Sequence, residues 1–117
     1  MKYLFIINDA PYGTEKTYNA FRLAMQIKKD YPENMIWIFL MADAATCALA
    51  NQKTPQGYYN IETMIKAVIN KGGKVKICGS CAEARGIKNL QLIKGTYISN
   101  MPELADWSVQ ADKILIF

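Results

Sequence analysis

The sequence predicts an α/β domain of three layers, α/β/α, built on a mostly parallel sheet of about five strands. Three observations predict it. Apolar runs at residues 2–8 and 35–41 are nearly continuous, as in buried strands of a parallel sheet, and residues 113–117 supply a closing strand. Stretches with helical periodicity lie between such runs, and this strand–helix alternation is the pattern of α/β folds. Proline and glycine punctuate the junctions, at Pro11, Gly13, Pro32 and Gly72. At 117 residues the chain has room for one core, so residues 1–117 are read as a single domain.

The first strand, residues 2–8, breaks at Asp9-Ala10-Pro11-Tyr12-Gly13. Thr14 is placed to cap a helix with Glu15 in its first turn. Ala20, Phe21, Ala24, Ile27 and Tyr31 recur at helical spacing until Pro32 ends the element. Residues 35–41 form the second strand. Asp43 is then expected to cap a short helix from Ala44 to Ala50 that carries Cys47. A loop follows, and Asn60 caps a helix with the stripe Ile61, Met64, Ile65, Val68, Ile69, the clearest periodicity in the chain. Gly72 stops it. The third strand runs into Cys78. Ile87 to Gly95 reads as an irregular connection with exposed apolar residues Leu90, Leu92 and Ile93, and Tyr97 with Ile98 as a short strand. Asn100 and Glu103 form another cap pair, opening a helix through Leu104, Ala105 and Ala111 before the closing strand, residues 113–117.

The chemistry concentrates in Val75-Lys76-Ile77-Cys78-Gly79-Ser80-Cys81-Ala82-Glu83-Ala84-Arg85-Gly86. Period-two alternation carries the strand to Cys78. Ser80 and Glu83 have the spacing of a capping box, which places Cys81 at the first position of a helix. Unpaired amides at a helix start favour a thiolate over a thiol. A free cysteine titrates near ~8.5, and a helix N-terminus or CxxC geometry lowers that value. Arg85, four residues after Cys81, is expected to add positive charge on the same helix face. In parallel sheets ligands gather at the carboxyl ends of the strands. Asp9, Asp43 and the Cys78–Cys81 turn would all lie on that edge, although turn formation and capping are the ordinary roles of Asp9 and Asp43.

Composition narrows the chemistry. The chain has no histidine, which removes Ser-His-Asp and Cys-His catalysis and imidazole-bound zinc. Three cysteines, Cys47, Cys78 and Cys81, are too few for a closed four-ligand zinc site and an odd number for a disulfide scaffold. Neither GxxxxGK[ST] nor GxGxxG occurs. The net charge of +4 comes mostly from scattered lysines, the pattern of a solvated surface rather than of direct nucleic-acid binding. No apolar run reaches the ~20 residues of a membrane helix. Met1 to Asn8 leads into a polar turn without a cleavage site, so the reading is a cytoplasmic protein with no membrane association.

CxxC leaves several uses open: a redox pair, half of a metal or cluster site shared between subunits, or a nucleophilic thiolate that carries sulfur. Two small buried hydrophobes are the structural alternative. Tyr12, Tyr58, Tyr59 and Trp107 are expected either to line a pocket or, as the commoner role for such aromatics, to pack in the core or a subunit interface.

Four segments, Ala10-Pro11-Tyr12-Gly13, Phe39 to Ala44, Gly57-Tyr58-Tyr59-Asn60-Ile61 and Cys78 to Ile87, together resemble the DsrE/DsrF-like family in its YchN-type branch. Glu103 to Trp107 and Ala111 to Ile114 fit as well, so the resemblance spans essentially the whole chain. It implies a compact α/β/α domain that assembles as homotrimers or homohexamers, and a role for several members as cytoplasmic sulfur relays. Cys78 matches the family cysteine that accepts a persulfide after the third strand. Cys81 and Arg85-Gly86 match the YchN-type variant. On this reading Cys78 is the acceptor, Cys81 a resolving or assisting thiol, and Ser80, Glu83 and Arg85 support the thiolate. The protein would then act as a sulfurtransferase-like carrier between sulfur donor and acceptor proteins, with a transient cysteine persulfide and no resident cofactor or metal. The alternative is a non-catalytic oligomeric module whose cysteines are structural or redox-sensing.

Overall fold

A computed structural model describes all residues 1–117. The elements follow the expected alternation: β1 (Lys2–Ile7), α1 (Lys16–Asp30), β2 (Met35–Leu40), a 3-10 helix (Ala42–Ala48), α2 (Ile61–Asn70), β3 (Lys74–Cys78), α3 (Gly79–Ala84), β4 (Thr96–Ser99), α4 (Met101–Gln110) and β5 (Lys113–Ile116). The five strands form one sheet in the order β4-β3-β2-β1-β5, and every pairing is parallel.

Alternation along the strands divides the core in two. Phe5, Ile7, Ile36, Ile38, Leu40, Val75 and Ile77 point to one face, where α1, α2, the 3-10 helix and Ala82 of α3 close a core of twenty buried residues. Leu4, Trp37, Phe39 and Cys78 point to the other face, where Leu104 and Trp107 of α4 complete a core of six. Trp37 and Trp107 stack there with ring centroids 5.0 Å apart.

The connections explain this asymmetry. β1 to β4 step across the sheet in one direction, with their helices on the first face. The chain then returns from β4 to β5 through α4 on the opposite face. Neighbouring strands β3 and β4 therefore send their chains to opposite faces. Such a divergence marks the carboxyl ends of the two strands as the usual ligand position in open α/β sheets.

Several local expectations hold in atomic detail. Asn60 and Asn100 cap α2 and α4 by accepting from the amides of Thr63 and Glu103, each at 3.0 Å. Gly72, at φ 88°, ends α2 in a Schellman turn: its amide reaches Ile69 O, and that of Gly73 reaches Val68 O, both at 2.9 Å.

Other expectations need correction. Glu15, not Thr14, is the N-cap of α1 and is left-handed at φ 68°. The Thr14 hydroxyl instead donates to Asp9 Oδ2 at 2.5 Å, closing the turn after β1. The segment after β2 is a 3-10 helix that starts two residues early, with Met41 as N-cap, because Asp43 is drawn away to Arg85. Of the three apolar residues expected to be exposed, Ile93 is buried, Leu92 is half-buried and only Leu90 projects. The connection is held down by a bridge between Leu49 and Leu92 and by the bond from Ile93 N to Ala48 O at 2.8 Å.

Candidate functional site

The site begins where β3 runs out. Cys78 keeps an extended backbone (φ −60°, ψ 115°) and becomes the N-cap of α3, its sulfur accepting from the Cys81 amide at 3.4 Å. The Ser80–Glu83 capping box therefore does not form. With the cap position taken by Cys78, Ser80 lies inside the helix, Cys81 is its third residue rather than its first, and Glu83 turns outward to Lys88 at 3.9 Å. Glycine is required after Cys78: a Cβ on Gly79 would stand 2.9 Å from Ser99 O and 3.1 Å from Ile98 Cγ2. That close approach packs α3 against the end of β4.

The two thiols have different surroundings. Cys78 is 6% exposed, and its sulfur lies 3.4 Å from the Ser80 hydroxyl in addition to the Cys81 amide. Burial pulls its pKa up, but bonds from the Cys81 side chain, the Ser80 hydroxyl and the backbone amides outweigh burial. Its pKa is therefore lower than that of an ordinary thiol. Cys81 is half-buried, and its sulfur accepts from the Ala42 amide at 3.2 Å. Burial and the neighbouring Cys78 raise its pKa despite Ala42 and Arg85. The pair is thus polarised: Cys78 is the readier thiolate, and Cys81 keeps its proton longer.

Ala42 is held in the left-handed region (φ 50°), an uncommon conformation for alanine that aims its amide at Cys81. The next residue anchors the arrangement. Asp43 Oδ1 accepts from Arg85 Nε at 3.0 Å and Nη2 at 2.8 Å, while Arg85 Nη1 donates to Cys81 O at 3.1 Å. Arg85 therefore ties the loop after β2 to α3. Because its fork is occupied by Asp43, it acts on the thiols mainly by position.

Three neighbours of Cys78 were not singled out as a group in the sequence. Ser99, at the end of β4, is its register partner, and adjacent strands lie only about 4.8 Å apart. Ser99 is buried and donates its hydroxyl to Glu103 in the first turn of α4. Lys76, on the Cys78 side of β3, reaches Glu103 Oε2 at 3.6 Å and lies 4.4 Å from the Trp107 ring centroid. Strand alternation places Lys76 with Cys78, and the Asn100 cap places Glu103 at a helix start. Neither signal reveals that β4 lies beside β3.

Other expected participants lie elsewhere. Asp9 is engaged by Thr14, and its carbonyl accepts from the Thr17 hydroxyl at 2.8 Å and the Cys47 thiol at 3.8 Å. Cys47 is fully buried, and desolvation raises its pKa strongly. Tyr12, Tyr58 and Tyr59 cluster with Tyr18 on the first face, with Tyr18 and Tyr59 stacked at 4.1 Å. Trp107 is on the opposite face, so the four aromatics line no common pocket. No three Cys, Asp or Glu side chains come together in a way that would hold a metal within one chain.

Comparison with known proteins places the family and the fold. The DsrE/DsrF-like family matches over residues 1–117. Protein YchN of Escherichia coli is 40% identical over 116 residues, covering 99% of this chain and 98% of YchN. The uncharacterized protein MJ0989 of Methanocaldococcus jannaschii is 34% identical over the full length of both chains. The crystal structure of the E. coli YchN protein superposes with a TM-score of 0.95 over 99% of this chain and 98% of that one. A protein of unknown function from Methanobacterium thermoautotrophicum, MTH1491, shares the fold with a TM-score of 0.80 at 9% identity, covering 99% of this chain and 98% of that chain. With matches spanning the whole chain in both sequence and fold, this protein belongs to the DsrE/DsrF-like family.

Proposed function

We propose that this protein is a sulfur-relay carrier that accepts sulfane sulfur on Cys78. The observation that carries the reading is the polarised thiol pair at the end of β3, with a hydroxyl and an amide on the Cys78 sulfur and Cys81 beside it. In the transfer step the Cys78 thiolate attacks the outer sulfur of a donor persulfide. A bond forms between Cys78 Sγ and that sulfur, the donor's S–S bond breaks, and the donor leaves as a thiolate without net oxidation. Cys81 supplies an exit: its thiolate attacks the inner sulfur of the Cys78 persulfide, forming a Cys78–Cys81 disulfide and releasing hydrosulfide. The two thiols are oxidised as the sulfane sulfur is reduced. None of the four surface cavities is lined by either thiol, which suits a donor presented by a protein rather than a bound small molecule. Donor and acceptor proteins in the cytoplasm are the partners this reading requires.

The test is intact-mass spectrometry after mixing the reduced protein with a cysteine desulfurase and cysteine. The expected result is a gain of one sulfur that is lost in Cys78→Ser and kept in Cys81→Ser. Uptake by Cys78→Ser equal to the parent would reject the assignment.

The second reading is an oligomeric module with structural or redox-sensing cysteines, and exposed apolar side chains on the α4 side support its oligomeric part. The α4 side exposes Val109 at 86% and Ile116 at 70%. Self-association as a homotrimer or homohexamer would cover it, and is compatible with either reading. Inert thiols in a protein that light scattering finds oligomeric would favour the module.

A further inference from the structure

The sulfur of Cys78 emerges on the sparsely covered face, beside a polar chain that the transfer chemistry above does not use. Ser99 lies directly across from Cys78, yet its hydroxyl proton is given to Glu103. Lys76 is two residues before Cys78 on the same side of β3, yet its ammonium is turned to Glu103 Oε2 at 3.6 Å over the Trp107 ring. Both groups that could stabilise a sulfur anion from this side are thus committed to one carboxylate. That carboxylate projects from the first turn of a solvent-facing helix, with its side chain 47% exposed, so a partner can reach it.

The other elements around Cys78 add little charge. β1 and β2 present Leu4, Trp37 and Phe39, and Lys2 lies over Trp37 at 5.5 Å. α3 presents Ser80 and Cys81, while Arg85 is held by Asp43. Asp106 on α4 faces Glu103 and accepts from the Gln110 side-chain amide at 2.7 Å.

We propose that Glu103 is a displaceable counter-ion that draws the Ser99 hydroxyl and the Lys76 ammonium away from Cys78, and that its displacement hands both to the sulfur anion. The proposal rests on Cys78 as the nucleophile and adds its regulation. A partner that brings a cation to the start of α4 pairs with Glu103, frees Ser99 and Lys76, and so couples docking to activation of the thiolate. Ser99, Lys76 and Glu103 are positioning residues in this scheme.

The test is the pH profile of Cys78 alkylation by iodoacetamide, resolved by site with mass spectrometry. Glu103→Gln is expected to raise the rate near neutral pH about threefold, equivalent to half a pKa unit. Lys76→Met, which removes the ammonium and leaves Glu103 with Ser99 alone, is expected to lower it by about the same factor. The double variant should return toward the parent, and Ser99→Ala should shrink the gain from Glu103→Gln. A purely structural role would lower thermal stability without moving the two profiles in opposite directions. Parent-like profiles, or shifts in the same direction, would overturn the proposal. If Glu103→Gln does not fold by circular dichroism, the direction of the Lys76→Met shift decides. Failure of sulfur uptake in the parent would reject the carrier reading while leaving these profiles measurable, so the two ideas fail separately.

Discussion

The two faces of one sheet have been put to different uses. Beneath α1, α2 and the 3-10 helix, twenty buried residues make a dry core in which Phe5, Phe21, Ile38 and Ile65 are wholly inaccessible. Beneath α4 only six residues are buried, lysines lie over both tryptophan rings, and the indole N–H of Trp37 has no partner. The candidate nucleophile belongs to the second face. Stability is concentrated where cover is complete. That candidate lies where cover is thin, whereas a thiol sealed into the first core, as Cys47 is, is held protonated by desolvation.

This contrast yields paired experiments. The largest effect is expected from core truncation. Phe21→Ala on the first face should cost about 3–5 kcal/mol in denaturant unfolding, in the range for buried aromatics. Leu104→Ala on the second should cost about 2 kcal/mol, the low end for buried leucine, because one helix over thin cover collapses more readily. Equal losses would show that the faces are energetically alike.

The caps come next. Asn60→Ala and Asn100→Ala each remove one side-chain acceptor from a helix start and should each cost about 1 kcal/mol. Here the faces should agree, because a cap depends on its own helix and not on the layer beneath. A loss at Asn100 well above that at Asn60 would show that Glu103 is also being misplaced.

The smallest effects are in the carboxylates, and pH separates them. Glu62 on α2 is desolvated, which raises its pKa, but Lys66 at 2.9 Å and the Gln52 amide at 2.8 Å outweigh that and bring it below its reference of 4.5. Glu103 is lowered first by Ser99 and then by Lys76. Both groups have depressed folded values, so each contributes stability above the unfolded carboxylate pKa and loses it as pH falls through the folded value. Glu62→Gln should therefore flatten the acid limb of a pH–stability curve more than Glu103→Gln does, because the Glu62 side chain is 11% exposed and that of Glu103 47%. The reverse order would mean that Glu103 is buried in solution, for example beneath a second copy.

Much of this organisation was legible beforehand. The buried strands, the Ile61–Ile69 stripe, the caps at Asn60 and Asn100 and the stop at Gly72 are local patterns, and local patterns survive into the fold because nothing distant competes for the same groups. The errors fall where something distant does compete. Asp43 has the composition of a cap, but Arg85, forty-two residues away, takes its carboxylate. Ser80 and Glu83 have the spacing of a capping box, but the Cys78 sulfur reaches the helix start first. Tyr58 and Trp107 look like partners in aromatic composition and are on opposite faces.

The sequence by itself determined the class of fold, the order of its elements and the place of Cys78 at a strand end, because burial periodicity and turn chemistry are carried by neighbours along the chain. Only the tertiary structure decided what surrounds that sulfur. The strand order sets Ser99 beside Cys78 and with it Glu103, four residues further on at the start of α4, and the left-handed turn at Ala42 aims an amide at Cys81. The pairs Cys78–Ser99 and Ala42–Cys81 lie about twenty and about forty positions apart. Their pairing depends on how strands are ordered and which face a helix crosses, and the chain's own periodicity carries no record of either.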